Sequence, residues 1–351
     1  MRIEQISTKQ YTTPHKFSNI DHEISWSQLF VAVTTDTGLQ GIGEAWWGLS
    51  LNPVESAIND ALAPLLNGAN PQQIEGLWQK MHRYAYRYGT EGILRCGLSA
   101  LDLAFWDLHG KHLDLPLAEV LGGQVQDRLK AYASLTHLGK ESWIQAEVSR
   151  AVDAGFKGVK LHEYDINMVR AARDVVPPHF PIMLDVAPFH WTPREAEENA
   201  LQLTKWNLYW LEEPIWPMQD HHAMARIRQR VSIPFASGEN EYTLQGFHRL
   251  MTSGAVEYVQ PEITKIGGFS TARKIAVLAE LHNLPICPHG FRIGPALFAN
   301  IHWALTHVNM EWLEIPFLPK HAKLPPGVYH PKLVDGEVEL PPGPGLGLQI
   351  V

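Results

Sequence analysis

The feature that most constrains the fold of this chain is a regular alternation that begins near residue 128. Eight short apolar runs rich in β-forming residues follow one another there: KAYASL, GVKL, PIMLDV, LYWL, PFAS, VEYVQP, LPICP and MEWLEIP. The stretches between them, such as SWIQAEVSRAVDAGF, repeat apolar residues at three- and four-residue steps, which predicts helices. Strand followed by helix, repeated over roughly 190 residues, favours a (β/α)8 barrel over an open doubly wound sheet.

Composition limits the classes of partner. The 351 residues are 45% hydrophobic, so the chain can bury a large core and is expected to hold one large domain and a smaller one. A net charge of -8, with no long lysine or arginine run, argues against binding to nucleic acid or to a membrane surface. Two distant cysteines and a start without an apolar signal core make the cytoplasm the expected location.

A polar residue stands at or just after each predicted strand from the second onward. The series is Lys160, Asp185, Glu212, Glu239, Glu262, His289 and Glu314, at intervals of 23 to 27 residues. The carboxyl ends of barrel strands open onto one face, so these side chains are predicted to converge on one pocket. Asp185, Glu212 and Glu239 would repel one another unless a cation lay between them. All-oxygen ligation suits a hard ion, and Mg2+ is the expected one.

Each of these residues also has an ordinary structural interpretation. A single carboxylate at a strand end is more often a helix cap or an ion-pair partner, and a lone histidine among the 18 of this chain is usually structural. Three acids in register, flanked by a lysine and a histidine, favour a functional site. Successive strand residues point to opposite sides, so Glu212 is expected to face the pocket and Glu213 to be structural.

Several motifs carry a family resemblance. GFKGVKLHEYD, LDVAPF, WLEEP, ASGENEY, VQPEITKIGG and CPHG, in that order, resemble the mandelate racemase group of the enolase superfamily. VTTDTGLQGIGEAWWG resembles that family's capping-domain hairpin, and LVDGEVELPPGPGLGLQI resembles its C-terminal return. The resemblance implies an α/β fold: a (β/α)7β TIM-like barrel over residues 126–317 and an α+β capping domain. The cap would comprise residues 1–125 and the C-terminal segment 318–351.

The resemblance also implies roles for the strand-end residues. The ligands of one Mg2+ per subunit fall on Asp185, Glu212 and Glu239, in agreement with the spacing argument. The family's shared step removes the proton α to a carboxylate, and the resulting enediolate carries a second negative charge. Mg2+ and Lys160 could neutralise that charge as it develops.

The proton-transfer groups follow from the same resemblance. The family's general bases fall on the end of the second strand, here Lys160 with His162, and on His289 after the seventh. Glu262 matches a carboxylate that pairs with that histidine. Glu314 matches a residue that hydrogen-bonds the developing oxyanion, and it could donate such a bond if it were protonated.

Three departures from the family pattern bear on this assignment. His162 stands where many relatives have a second lysine, and its reference pKa near 6.5 needs less perturbation for a base at neutral pH. Glu262 replaces the more usual aspartate, so its extra methylene has to be absorbed. Ala187 stands where some sugar-acid dehydratases have a polar group, so a histidine would have to supply any acid.

The expected reaction is Mg2+-dependent dehydration of a sugar acid, an aldonate or aldarate, to a 2-keto-3-deoxy acid. The expected partner is therefore a small carboxylate substrate, and the family implies a homo-oligomer. Residues 13–26, with Trp46 and Trp47, are expected to lie over the barrel mouth and select the substrate.

Three alternative functions remain open at the level of sequence. Two flanking bases would equally permit a racemase or epimerase. EEP after a fourth strand also suits a barrel glycoside hydrolase, but that chemistry wants a second acid after the seventh strand, where this chain has His289. A catalytically silent sugar-acid binder is the third alternative.

Overall fold

The computed structural model of this chain describes residues 1–13, 26–46, 50–188, 191–318 and 331–348. None of the helices in these ranges has the length and apolar character that a membrane span requires.

The N-terminal part folds as an antiparallel sheet packed on helices. Its strands run in the order β1-β2-β3 and are followed by four helices. They are β1 (Ile3–Thr13), β2 (Trp26–Thr35), β3 (Gln40–Ala45), α1 (Asn52–Ser56), α2 (Ile74–Ala85), α3 (Ile93–Leu113) and α4 (Leu117–Val120). A π-helical turn, Ala57–Leu62, and a 3-10 turn, Ala63–Leu65, continue α1.

Two glycines allow β3 to lie directly against α3. A Cβ atom at Gly41 would lie 2.1 Å from the Ala104 carbonyl oxygen, and one at Gly43 would lie 2.0 Å from that of Ala100. Any larger side chain would have to push the strand away from the helix backbone.

The parallel strands predicted from the alternation are present from residue 128 onward. They are β4 (Arg128–Ser134), β5 (Gly158–His162), β6 (Ile182–Asp185), β7 (Trp210–Glu212), β8 (Phe235–Ser237), β9 (Tyr258–Val259) and β10 (Trp312–Pro316). Consecutive strands from β4 to β9 pair in parallel, and β10 returns to pair in parallel with β4. The chain therefore has the predicted (β/α)7β barrel with an α+β cap.

The prediction of a regular strand over LPICP is wrong. Within this described segment, Ile286 makes single parallel bridges to Val259 and to Met310, which keep its place between β9 and β10. Pro285 and Pro288 flank it, and a proline has no N–H to donate to a strand ladder.

Helices alternate with these strands and cover the barrel. They are α5 (Glu141–Asp153), α6 (Asn167–Arg173), α7 (Pro193–Leu203), α8 (His221–Arg228), α9 (Leu244–Thr252), α10 (Phe269–Leu281) and α11 (Pro295–Ala304). A 3-10 turn, Thr204–Trp206, follows α7. Inside the barrel, large buried side chains that include Tyr132, Met183 and Trp210 fill the space below the polar residues.

The C-terminal part contacts both units. β11 (Leu333–Val334) and β12 (Glu337–Glu339) form a hairpin, and β12 pairs antiparallel with β4. Further on, the Leu346 N–H donates to Asp107 of α3 at 2.8 Å. The division into residues 1–125, 126–317 and 318–351 stays a prediction.

Side chains of the cap hold the loop that follows β9. The Trp78 indole donates to the Gly267 carbonyl oxygen at 2.9 Å, and the Arg95 guanidinium donates to that of Ile266 at 2.8 Å. The Asp102 carboxylate accepts the backbone N–H of Ser270 in the first turn of α10 at 3.0 Å. The cap thus positions a segment that begins four residues after Glu262.

Candidate active site

Three carboxylates meet at the carboxyl ends of successive strands. Asp185 ends β6 and Glu212 ends β7, and these two residues are paired in the sheet register. Glu239 follows the end of β8 by two residues. One oxygen of each carboxylate lies within 4.8 Å of the others. The convergence predicted from spacing is therefore present in the structure.

A buried ammonium lies against this cluster. The Nζ atom of Lys160 is 2.8 Å from Glu212 Oε1, 2.9 Å from Glu314 Oε1 and 3.3 Å from Asp185 Oδ2. Burial by itself lowers the pKa of Lys160, but Glu212 and Glu314 outweigh it and hold the pKa well above its usual value. Lys160 is therefore a fixed positive charge.

His162 faces the cluster from the β5 side. Its Nδ1 bonds the Leu135 carbonyl oxygen, which can only accept, so Nδ1 carries a proton. Its Nε2 is 3.2 Å from Asp185 Oδ2. The ring thus presents Nε2 to the pocket.

His289 faces the cluster from the other side. Its Nδ1 is 2.7 Å from Glu262 Oε2 and its Nε2 is 2.8 Å from Glu239 Oε2. Burial lowers the pKa of His289, but Glu239 and its fellow carboxylates raise it well above its usual value. The predicted contact with Glu262 is present despite the extra methylene, and the backbone N–H and hydroxyl of Thr264 orient the other Glu262 oxygen at 2.9 and 2.6 Å.

Glu314 reaches the same pocket, where it accepts hydrogen bonds. It accepts from the Ser134 hydroxyl at 2.6 Å and the Gly290 N–H at 2.9 Å, besides Lys160. Burial raises the pKa of Glu314, but Lys160 and His289 outweigh it and bring the pKa to about 2. Glu314 would have to be protonated to donate a hydrogen bond, whereas in this structure three donors point at its oxygens.

The cap contributes an aromatic residue to the site. The ring centroid of Trp46 lies 6.0 Å from that of His289, 3.9 Å from Lys265 Nζ and 4.3 Å from the Arg292 guanidinium carbon. This agrees with the expectation that cap residues lie over the barrel mouth. Trp47 and most of the segment 13–26 lie outside the described residues.

Sequence reasoning did not single out Lys265, Arg292 or Asn240. Lys265 lies three residues after Glu262, and Asn240 directly follows Glu239. A charged side chain in an otherwise apolar, glycine-rich run such as EITKIGG is a signal that could have identified Lys265.

The donor set fits a hard divalent cation. Asp185, Glu212 and Glu239 supply only oxygen atoms, which Mg2+ prefers to nitrogen or sulfur. The other Glu212 oxygen accepts from the Trp210 indole at 2.9 Å and the Gln260 amide at 2.7 Å, so its orientation is fixed. Such outer partners are typical of metal-binding carboxylates.

Comparison with known proteins agrees with this geometry. The chain is 30% identical to the D-galactarolactone cycloisomerase of Agrobacterium fabrum, over 92% of this chain and 89% of that protein. It is 31% identical to the arabinonate dehydratase of Saccharolobus solfataricus, over 91% and 87%. A solved racemase from Streptomyces coelicolor A3(2) with bound magnesium superposes with a TM-score of 0.86 at 27% identity, covering 99% of this chain and 97% of that one.

Two family models together match most of the chain. Residues 3–122 match the mandelate racemase / muconate lactonizing enzyme N-terminal domain, and residues 143–351 match the enolase C-terminal domain-like family. With strand-end carboxylates gathered as the motifs predicted, the chain belongs to the mandelate racemase / muconate lactonizing enzyme family of the enolase superfamily.

Proposed function

We propose that this protein removes the proton α to the carboxylate of a sugar acid and catalyses its dehydration to a 2-keto-3-deoxy acid, with one Mg2+ per subunit. The observation that carries the proposal is the placement of two imidazoles on opposite sides of three converging carboxylates. His162 lies 3.2 Å from Asp185 and His289 lies 2.8 Å from Glu239.

The three carboxylates are the residues that would hold the cation. When bound, Mg2+ supplies positive charge that attracts the substrate carboxylate and stabilises the enediolate. The magnesium in the Streptomyces coelicolor racemase supports this choice. Lys160 adds a second positive charge at the same place, and its burial between carboxylates keeps it from moving.

The two histidines are suited to move protons at defined atoms. Glu262 engages Nδ1 of His289, so Nε2, which faces Glu239, is the nitrogen directed at the pocket for proton exchange with the substrate. The Leu135 carbonyl does the same for His162. Because the rings stand on opposite sides, the configuration at Cα decides which one is the base.

Loss of the β-hydroxyl requires an acid. The side chain of Ala187 has no acidic proton to donate, so we assign this step to the histidine that did not act as the base. The arabinonate dehydratase relative supports dehydration.

The cycloisomerase relative favours a second candidate, in which the same α-proton step expels a ring oxygen of a cyclic sugar acid. A racemase or epimerase would return the proton instead.

A substrate screen separates these outcomes. Aldonates, aldarates and their lactones are incubated with the protein and MgCl2 in D2O, and both 2-keto-3-deoxy products and deuterium at Cα are measured. We expect 2-keto-3-deoxy products from a linear acid and loss of activity with a chelator. Exchange without elimination would indicate a racemase or epimerase, turnover of lactones alone a cycloisomerase, and activity that survives chelation would contradict the metal-dependent mechanism.

Two further predictions concern the setting of the enzyme. We propose a cytoplasmic location and a symmetric homo-oligomer, on the basis of composition and of the family resemblance respectively. Fractionation of cells and sedimentation of the purified protein test them.

A further inference from the structure

Asn240 lies at the centre of a polar network beside the proposed metal ligands. Its Nδ2 donates to Glu239 Oε1 at 2.9 Å and to Glu213 Oε2 at 2.8 Å. Its Oδ1 accepts from Lys265 Nζ at 3.0 Å. One short amide therefore joins a proposed ligand to two charged side chains that are 1% and 2% exposed.

The charges around Asn240 allow only one orientation of its amide. The NH2 group faces two carboxylates and the carbonyl oxygen faces an ammonium. A flipped amide would place the oxygen against Glu213 and Glu239 and the NH2 group against Lys265, so all three contacts would become repulsive. The network thus fixes the direction in which Asn240 holds Glu239.

Glu213 is held in place as part of this network. Its Oε1 accepts from the Ser237 hydroxyl at 3.2 Å, and its backbone N–H donates to the Ala236 carbonyl oxygen at 3.1 Å. Its backbone has a φ of 42°, a left-handed conformation that turns the chain directly after Glu212. The second acid of WLEEP is therefore placed to fix Asn240.

Lys265 extends the network to the cap. Its Nζ lies 3.9 Å from Glu239 Oε1 and 3.9 Å from the centroid of the Trp46 ring. A cation over an indole face is attracted to it. Both oxygens of Glu239 are thus oriented by protein groups, Oε1 by Asn240 and Lys265 and Oε2 by His289.

We propose that Asn240, held by Glu213 and Lys265, is a positioning residue that sets the orientation of Glu239 for cation binding. The inference rests on the proposed function, in which Glu239 is a ligand of Mg2+. Partners of this kind orient a ligand before the cation arrives, and their loss typically weakens metal affinity by about 10- to 100-fold.

The first test is the affinity of the full-length protein for Mg2+ alone, measured by titration calorimetry after treatment with a chelator. We expect Asn240→Ala to raise the dissociation constant for Mg2+ by about 10- to 100-fold. Asn309→Ala is the matched control, because Asn309 is also half-buried and donates to two backbone carbonyls, but lies away from the site. The control should lower the melting temperature without changing the affinity for Mg2+.

Asn240→Asp distinguishes position from charge and keeps the shape of the side chain. It preserves the acceptor for Lys265 and removes the donor to Glu239, so we expect weaker Mg2+ binding despite the added negative charge. A charge effect alone predicts tighter binding, and that result, or unchanged affinity in both Asn240 variants, would overturn the inference. If the unsubstituted protein does not bind Mg2+, the proposed metal centre itself is refuted.

Discussion

At the scale of single residues, the site is a set of buried charges that are tolerable only together. Lys160 is 0% exposed and contacts three carboxylates, and His289 lies between two more. Isolated charges in such surroundings would be strongly unfavourable, whereas paired and hydrogen-bonded ones can be accommodated. Removal of one member should therefore affect the others.

Lys160→Met should lower the free energy of unfolding by about 3 to 5 kcal/mol, because it leaves buried carboxylates without their shared cation. The measurement is urea denaturation in the presence of a chelator. Lys274→Met is the matched control: Lys274 pairs with Glu75 at 3.0 Å on the surface, with the two side chains 44% and 57% exposed. An exposed pair of this kind contributes about 0 to 1 kcal/mol. Equal losses in the two variants would contradict the role given to Lys160.

His289→Asn should reduce deuterium exchange at the substrate Cα by about 10²- to 10⁴-fold while the protein still binds Mg2+, because proton transfer by a positioned base contributes that much. A substrate whose α-proton faces His289 is needed for the measurement. His302→Asn is the control, since His302 is also fully buried but accepts the Ala118 N–H outside the site. Exchange at the original rate would remove His289 from the mechanism.

At the scale of elements, close contacts within the cap and within the barrel hold neighbouring strands, helices and loops together. β3 lies on α3 without side chains between them at Gly41 and Gly43. In the barrel, the Glu163 carboxylate accepts hydrogen bonds from the N–H groups of Leu138 and Gly139 at 2.7 and 3.0 Å. These bonds tie the loop after β4 to the end of β5. These contacts hold the elements that carry site residues.

Gly43→Ala should destabilise the fold by about 1 to 3 kcal/mol, because the new methyl group would overlap the α3 backbone. Gly76→Ala should instead stabilise it by about 0.4 to 1 kcal/mol: Gly76 is exposed within α2, and a Cβ there meets only the Gln73 Cβ, at 4.0 Å. Denaturation of both variants checks the signs. Similar effects in the two would show that the strand can move away from α3.

His137 should make stability depend on pH. Its Nδ1 is 3.0 Å from Glu163 Oε2, and this hydrogen bond raises the pKa of His137 above 6.5 despite partial burial. A raised pKa in the folded state gives stabilisation that is complete below pH 6.5 and is lost as pH rises through the folded pKa.

The advantage of the native protein over His137→Asn in unfolding free energy should therefore be larger near pH 6 than near pH 9, where the imidazole is neutral. Urea denaturation at the two pH values measures it. An advantage that does not change with pH would mean that His137 is not charged in the folded protein.

At the scale of the whole molecule, the candidate ligands lie 27 residues apart in the chain, at or just after the ends of three successive strands, so cation binding should stabilise the folded state as a unit. A cation whose free concentration is about one hundred times its dissociation constant stabilises the fold by about 2.7 kcal/mol. We expect this gain when MgCl2 replaces a chelator in urea denaturation. Asp185→Asn should show a smaller gain at the same MgCl2 concentration, and an equal gain would place the cation elsewhere.

Much of the fold and of the site could be predicted from the sequence. The alternation predicted seven of the eight barrel strands, and the motifs predicted the cap. The prediction of a regular strand over LPICP was wrong because its two prolines have no N–H to donate to the neighbouring strands. Contacts such as Asp102 with Ser270, or Asn240 with Lys265, join residues whose spacing carries no pattern, so no periodicity could indicate them.

The sequence by itself determined which residue types stand at the strand ends, and hence that Asp185, Glu212 and Glu239 converge, because a repeated strand–helix unit brings all those ends to one rim. Only the tertiary structure decided the hydrogen-bonding role and the orientation of each side chain. It made Glu314 an acceptor rather than a donor and placed Asn240 between Glu213 and Glu239. The physical reason is that burial, charge and hydrogen bonding act over a few ångströms between groups that are far apart in the chain.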